Sequence, residues 1–112
     1  MQLPQEGTLL RVFIGEADKH AGKPLYEWIV LKAREQGLAG ATVLRGMMGF
    51  GAKTRQIHTF RFDTLSEDLP IIVEIVDTSE RLDHFLELIQ PHIKAGLVTL
   101  EKAQVKFYHF EP

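Results

Sequence analysis

Cysteine is absent from all 112 residues, which excludes both a disulfide framework and a thiolate metal site. Serine is confined to Ser66 and Ser79, and a turn or a helix cap explains each of them, so no serine nucleophile stands out. No apolar run approaches the roughly 20 residues of a membrane span. Met1 to Gly7 is polar and carries Glu6, unlike the basic and apolar start of a secretory signal. These shortages read as a cytoplasmic protein with no membrane insertion. The formal net charge of -2 argues against general nucleic-acid binding. One shortage is local: no Asp or Glu occurs between Glu35 and Asp63, while Arg45, Lys53, Arg55 and Arg61 fall in that interval. Setting those four apart from the 13 basic residues leaves nine against 15 acids, so a positive middle sits in an acidic remainder.

What is present is ordinary globular composition, 45% hydrophobic and 25% charged, and the length suits a single domain over residues 1–112 that buries about two thirds of its unfolded surface. Thr8 to Ile14 alternates as a strand, with Leu10, Val12 and Ile14 on one face and Leu9, Arg11 and Phe13 on the other. Glu16 to Lys23 reads as a polar connection. Pro24 stands at an early helix position, Leu25, Trp28, Ile29 and Ala33 recur at helical spacing, and Gly37 supplies the stop. Pro70 ends a turn signal, after which Ile71 to Val76 is the most β-prone run and predicts a central strand. Asp77 is placed to cap the next helix, with Glu80 three residues on. Leu82, Phe85, Leu86 and Ile89 line one face of that helix until Pro91 kinks or ends it. Gly96 opens a last strand whose alternation extends to Tyr108.

Between the halves lies Gly40 to Thr54. Thr42, Val43 and Leu44 form a strand that loses side-chain bulk at Gly46, Gly49 and Gly51. Glycines there can take positive φ and leave backbone N–H groups uncovered, and Lys53 and Arg55 follow at once. That combination suits an anion. Ile57 to Phe62 alternates as the return arm of a hairpin.

Each half is thus a strand, a helix and a strand. This predicts an α+β, ferredoxin-like (βαββαβ) antiparallel sheet with two helices on one face and an extra hairpin arm. Helices on one side leave Leu9, Phe13, Ile72 and Val76 wet on the other, so a homo-oligomer that buries them is expected. Arg11, inside this apolar strand, needs a partner, either Glu74 on a neighbouring strand or a ligand phosphate, with the ion pair favoured.

Other motifs fall short. From Gly46 the spacing of a nucleoside-triphosphate loop is met at Gly51, but Ala52 stands where Lys must and a strand follows instead of a helix. Gly49-Phe50-Gly51 lacks the third glycine of a dinucleotide fingerprint. His20, His58, His84, His92 and His109 show no metal-ligand spacing, and Glu67 with Asp68 is accounted for by a polar turn. Met47, Met48 and Phe50 read as core or interface packing, or as an apolar group beside a base.

Taken together, Ile14-Gly15-Glu16, Gly22-Lys23-Pro24-Leu25-Tyr26, Gly40-Ala41-Thr42-Val43-Leu44-Arg45-Gly46, Gly49-Phe50-Gly51, Leu65-Ser66-Glu67-Asp68-Leu69-Pro70, Glu74-Ile75-Val76-Asp77 and Gly96-Leu97-Val98-Thr99 resemble the domain of unknown function 190 family, relatives of the PII signalling proteins. The resemblance runs from about Leu9 to Tyr108. It implies a PII-like trimer. In PII proteins a Gly-Phe-Gly at the end of the second strand leads into the T-loop, and adenine nucleotides bind nearby in clefts between subunits. Gly49-Phe50-Gly51 matches that position, and Ala52 to His58 is a shortened counterpart of the loop. The chain departs from PII at the basic, glycine-rich B-loop, for which Pro91 to Gly96 offers only His92 and Lys94.

The expectation is therefore a non-enzymatic regulatory homotrimer without a resident cofactor, taking a small anionic effector such as an adenine nucleotide. Its ligand-binding residues would be Arg45, Gly49, Phe50, Gly51, Lys53 and Arg55, with the 52–58 loop offered to a partner protein. Two alternatives belong to other classes: a trimeric metal-binding protein of the CutA type, and an enzyme using the same cleft with His58 as general base.

Overall fold

A computed structural model describes residues 5–51, 57–59, 68–109 and 111. Strand β1 (Glu6–Gly15) is followed by a small hairpin of β2 (Lys19–His20) and β3 (Lys23–Pro24), then helix α1 (Leu25–Glu35) and strand β4 (Thr42–Arg45). Strands β5 (Met48–Gly49) and β6 (His58–Thr59) form an arm; β7 (Pro70–Asp77), α2 (Ser79–Ile89), a 3-10 turn (Gln90–His92) and β8 (Leu97–Gln104) complete the chain. The four long strands lie in the order β4-β7-β1-β8, and every neighbouring pair is antiparallel. This is the ferredoxin-like arrangement anticipated from the two half-repeats, and β7 is central as its apolar run requires.

Parity divides the sheet. Leu10, Val12, Ile14, Ile71, Val73 and Ile75 are buried under the helices, where they meet Leu25, Ile29 and Ala33 of α1 and Leu82, Phe85 and Ile89 of α2. The opposite face carries a row that crosses all four strands: Leu44 opposite Ile72, Ile72 opposite Phe13, Phe13 opposite Leu97. Within one chain Phe13 and Ile72 are half-buried, while Leu44 and Leu97 remain 45% and 56% exposed. Behind that row runs Thr42, Glu74, Arg11 and Thr99. Arg11 donates to Glu74 at 2.9 Å and to Glu101 at 2.6 Å, so its partners are the acids of both flanking strands.

Gly37 takes φ +72 just beyond α1, and the N–H groups of Gly37 and Leu38 reach back to Arg34 and Ala33, the left-handed stop that glycine permits. Pro91 falls one residue beyond Gln90, after α2 has ended at Ile89.

Four expectations are corrected. Glu16 to Lys23 is not a plain connection: Ala21 and Gly22 both take positive φ (52 and 82) in a two-residue turn joining β2 to β3, the twist that suits tight hairpins. The cap of α2 is Thr78, whose hydroxyl accepts from the Arg81 N–H at 3.2 Å, because Asp77 is still the last residue of β7 and points into the core. The final strand stops at Gln104 and does not alternate on to Tyr108; the chain turns away toward Ala39. Positive φ is confined to Ala21, Gly22 and Gly37 among the described residues, so Gly49 and Gly51 do not use it. Of the return arm Ile57 to Phe62, His58 and Thr59 pair with Gly49 and Met48; residues 60–62 lie outside the described residues.

Candidate functional site

The end of β4 meets the start of β7 through glycine. Gly46 donates its N–H to the Pro70 carbonyl at 2.7 Å, and a Cβ on Gly46 would stand 2.7 Å from Pro70 Cγ. At Gly49 the same ring atom would lie at 3.2 Å. Pro70 thus leaves no room for a side chain at Gly46 and little at Gly49, a reason internal to the fold. Gly51 differs, because among the described residues nothing lies within 4 Å of where its Cβ would be. It is the one glycine of the three with no described atom in that space.

Around it the arm is apolar and exposed: Met47 at 76%, Met48 at 63%, Phe50 at 53% and Ile57 at 54%. Arg45, at the root of the arm, forms an ion pair with Glu16 at 3.0 Å. Glu16 is held in turn, its N–H donating to the Leu69 carbonyl at 2.8 Å. Asp68 accepts from the Ala17 N–H at 2.9 Å and Asp18 accepts from the Gly15 N–H at 3.0 Å. The structure thus brings Arg45, Gly49, Phe50 and Gly51 to one end of the sheet and supplies Arg45 with an acid from the turn after β1. Lys53 and Arg55 lie outside the described residues. The acid-free interval concealed Glu16 because that carboxylate arrives from 29 residues away.

A concavity occupies the other end of the open face. A cleft of about 550 Å³ lies between the turn after α1 and the segment after β8, lined by Leu9, Gly40, Thr42, Val76, Val105 and Tyr108 among others. Its volume falls in the range of small-molecule pockets. Its rim is rigidly tied. Tyr108 donates its hydroxyl to the Ala39 carbonyl at 2.9 Å, and the Ala39 N–H donates to Asp77 at 2.8 Å. Asp77 is fully buried and also accepts from the Thr78 N–H at 2.7 Å and from Arg81 at 3.2 Å; Arg81 reaches on to the Gly37 carbonyl. A buried carboxylate persists only with such partners, and its place on the inward parity of β7, after Ile71, Val73 and Ile75, was the signal for it. Neither the cleft nor Tyr108 had a local signature.

One titration is displaced. The hydrogen bond to Glu74 raises the Arg11 guanidinium above its ordinary value, and the charge of Glu101 adds to this against the opposing effect of desolvation. No group of three or more His, Asp or Glu side chains able to hold a metal occurs among the described residues. None of the helices is long and apolar enough to cross a membrane, among the described residues.

Comparison with known proteins sets this geometry in context. The chain is 42% identical over 97 residues to a UPF0166 protein of Aquifex aeolicus, covering 87% of this chain and 90% of that one. It is 33% identical over 101 residues to the UPF0166 protein MJ1524 of Methanocaldococcus jannaschii, covering 89% and 92%. Among solved structures it is similar to CPII, a nitrogen regulatory PII-like protein from Thiomonas intermedia K12 bound to ADP, AMP and bicarbonate. There the TM-score is 0.67 at 20% identity, over 89% of this chain and 88% of that chain. That likeness establishes a shared PII-like fold. The family described as DUF190, Uncharacterized ACR, COG1993, matches residues 7–105, and the chain belongs to it.

Proposed function

We propose that this protein is a PII-like regulatory protein that takes a small anionic effector, in the first instance an adenine nucleotide, at a cleft completed by a second copy of the chain. The observation that carries the reading is the space at Gly51 that no described residue fills, just before Lys53 and Arg55 in an interval without acids. Backbone N–H groups and fixed positive charge are what phosphate recognition needs. The structural likeness to CPII, a protein solved with ADP and AMP, favours the same ligand class here.

The open face supports assembly. Leu44, Ile72, Phe13 and Leu97 form one apolar row with no helix above it, and a second copy removes it from water. In such an assembly the arm of one chain would meet the cleft at Gly40 and Tyr108 of another, and the effector would lie between them. Effector binding at Gly51 would then bias the 52–58 segment, and with it the surface shown to a partner protein.

Calorimetry with ATP, ADP, AMP and cyclic AMP tests the reading. Saturable binding of one of them, at one ligand per chain and lost in Lys53→Ala, is the expected result. Absence of heat with all four sinks the nucleotide version. Sedimentation as a stable monomer at micromolar concentration removes the shared cleft.

A further inference from the structure

Away from the arm and the cleft, three rings from three separate segments meet. His20 of β2 has its ring centroid 4.3 Å from Trp28 of α1, and His92 of the 3-10 turn lies 4.8 Å from the same indole. The two imidazoles are 4.6 Å apart with their planes at 68°. Trp28 packs against the core, and His20 is half-buried while His92 is exposed. Lys32 stands 5.8 Å from the Trp28 ring and is engaged by Glu35 at 3.4 Å.

A wall of apolar carbon behind two imidazoles has a chemical consequence. Among the described residues no hydrogen bond or ion pair takes up a nitrogen of either ring, and the rings stay reachable from water through His92. The spacing is also that of chelation. A metal–nitrogen bond of about 2.0 to 2.1 Å, with the nitrogen roughly 1.1 Å from its ring centre, puts two adjacent ligand rings roughly 4.5 to 5.2 Å apart for right-angled to tetrahedral geometry. The observed 4.6 Å lies within that interval, and the ring planes remain free to rotate about their metal bonds.

We propose that His20 and His92 form a two-imidazole clamp for a divalent first-row transition ion, with Trp28 as its wall. Imidazole nitrogen selects nickel, copper or zinc over magnesium and calcium, which require oxygen. Two protein ligands leave the other positions to water or a solvent anion, so the site is exchangeable and separate from any cluster of three or more ligands. The ion would tie the β2–β3 hairpin to the turn that precedes Gly96 and β8. This proposal stands apart from the nucleotide reading, which uses neither histidine.

Trp28 is the single tryptophan of the chain, so its emission reports on this place alone. Metal-free, tag-free protein is titrated with nickel chloride, and separately with magnesium chloride. Nickel is expected to quench the emission with a half-point on the order of 10 μM, reversed by EDTA, and each of His20→Gln and His92→Gln to raise that half-point at least about tenfold. His84→Gln, on α2 away from the rings, should match the parent, and magnesium should do nothing. Quenching that needs millimolar nickel, or that survives in the double variant, overturns the site and leaves the cluster as packing. If His20→Gln does not fold, His92→Gln decides alone, since its side chain lies in water; a nickel-dependent rise in thermal midpoint must then be present in the parent and absent in that variant.

Discussion

Arg11 and Glu74 face each other across the β1–β7 register and are joined by a hydrogen bond of 2.9 Å on the sheet face that no helix covers. Glu101 approaches the same guanidinium from β8 at 2.6 Å. Removing the arginine leaves two carboxylates near one another in a surface proposed to be buried between copies. Arg11→Ala should therefore loosen the assembly more than the single chain, visible as dissociation on dilution in sedimentation, while Glu101→Gln should be nearly silent. The guanidinium is raised above its unfolded value, so its contribution is complete below that value and is lost only as pH climbs through the raised one. The stability of the fold should accordingly not fall between neutral pH and about pH 10 through this group. Dissociation by Glu101→Gln but not by Arg11→Ala would reverse the assignment.

Ala21 carries a Cβ at φ +52, a conformation that costs an L-residue about 1 to 2 kcal/mol. Asparagine tolerates it, and glycine tolerates it with added unfolded-state entropy. Ala21→Asn should raise the thermal midpoint by roughly 4 °C, and Ala21→Gly by less. A fall in both would mean that the hairpin turn is not formed as described.

Asp77 and Thr78 separate two roles that adjoin in sequence. Thr78→Ala removes one cap hydrogen bond and should cost about 1 kcal/mol. Asp77→Ala strands the Ala39 N–H and the Arg81 guanidinium in and beside the core, and should cost about 3 to 5 kcal/mol. Urea midpoints measure both. Equal losses would restore Asp77 as the cap.

These residues also mark how far the fold was legible. Parity along Thr8 to Ile14 and Ile71 to Val76 carried the sheet, its central strand and its uncovered face, because alternation is a local record of which side meets helices. The Arg11–Glu74 pair was readable for the same reason, as a charge among apolar neighbours. Contacts between distant segments left no such record. Glu16 on Arg45, Pro70 under Gly46, and His20 beside His92 are each made by the fold bringing together residues with ordinary local surroundings. The glycines marked a close approach but not what approaches: the scarcity of side-chain bulk at Gly46 and Gly49 answers to a proline ring, and positive φ is not used at Gly49 or Gly51.

That distinction yields a direct test of where the ligand sits. A methyl group on Gly46 would meet Pro70 Cγ at 2.7 Å, within a contact fixed by the hydrogen bond from the Gly46 N–H to the Pro70 carbonyl. Gly46→Ala should therefore cost about 1 to 3 kcal/mol of stability. A methyl group on Gly51 meets none of the described residues within 4 Å, and Gly51→Ala should stay within about 0.5 kcal/mol of the parent. If phosphate approaches the backbone at Gly51, that second substitution should still weaken nucleotide binding, since the added carbon takes the space the anion needs. Thermal midpoints read the first effect and calorimetry the second. Unchanged affinity in Gly51→Ala, with nucleotide bound normally by the parent, would move the ligand away from the tip of the arm and toward the cleft at Gly40 and Tyr108.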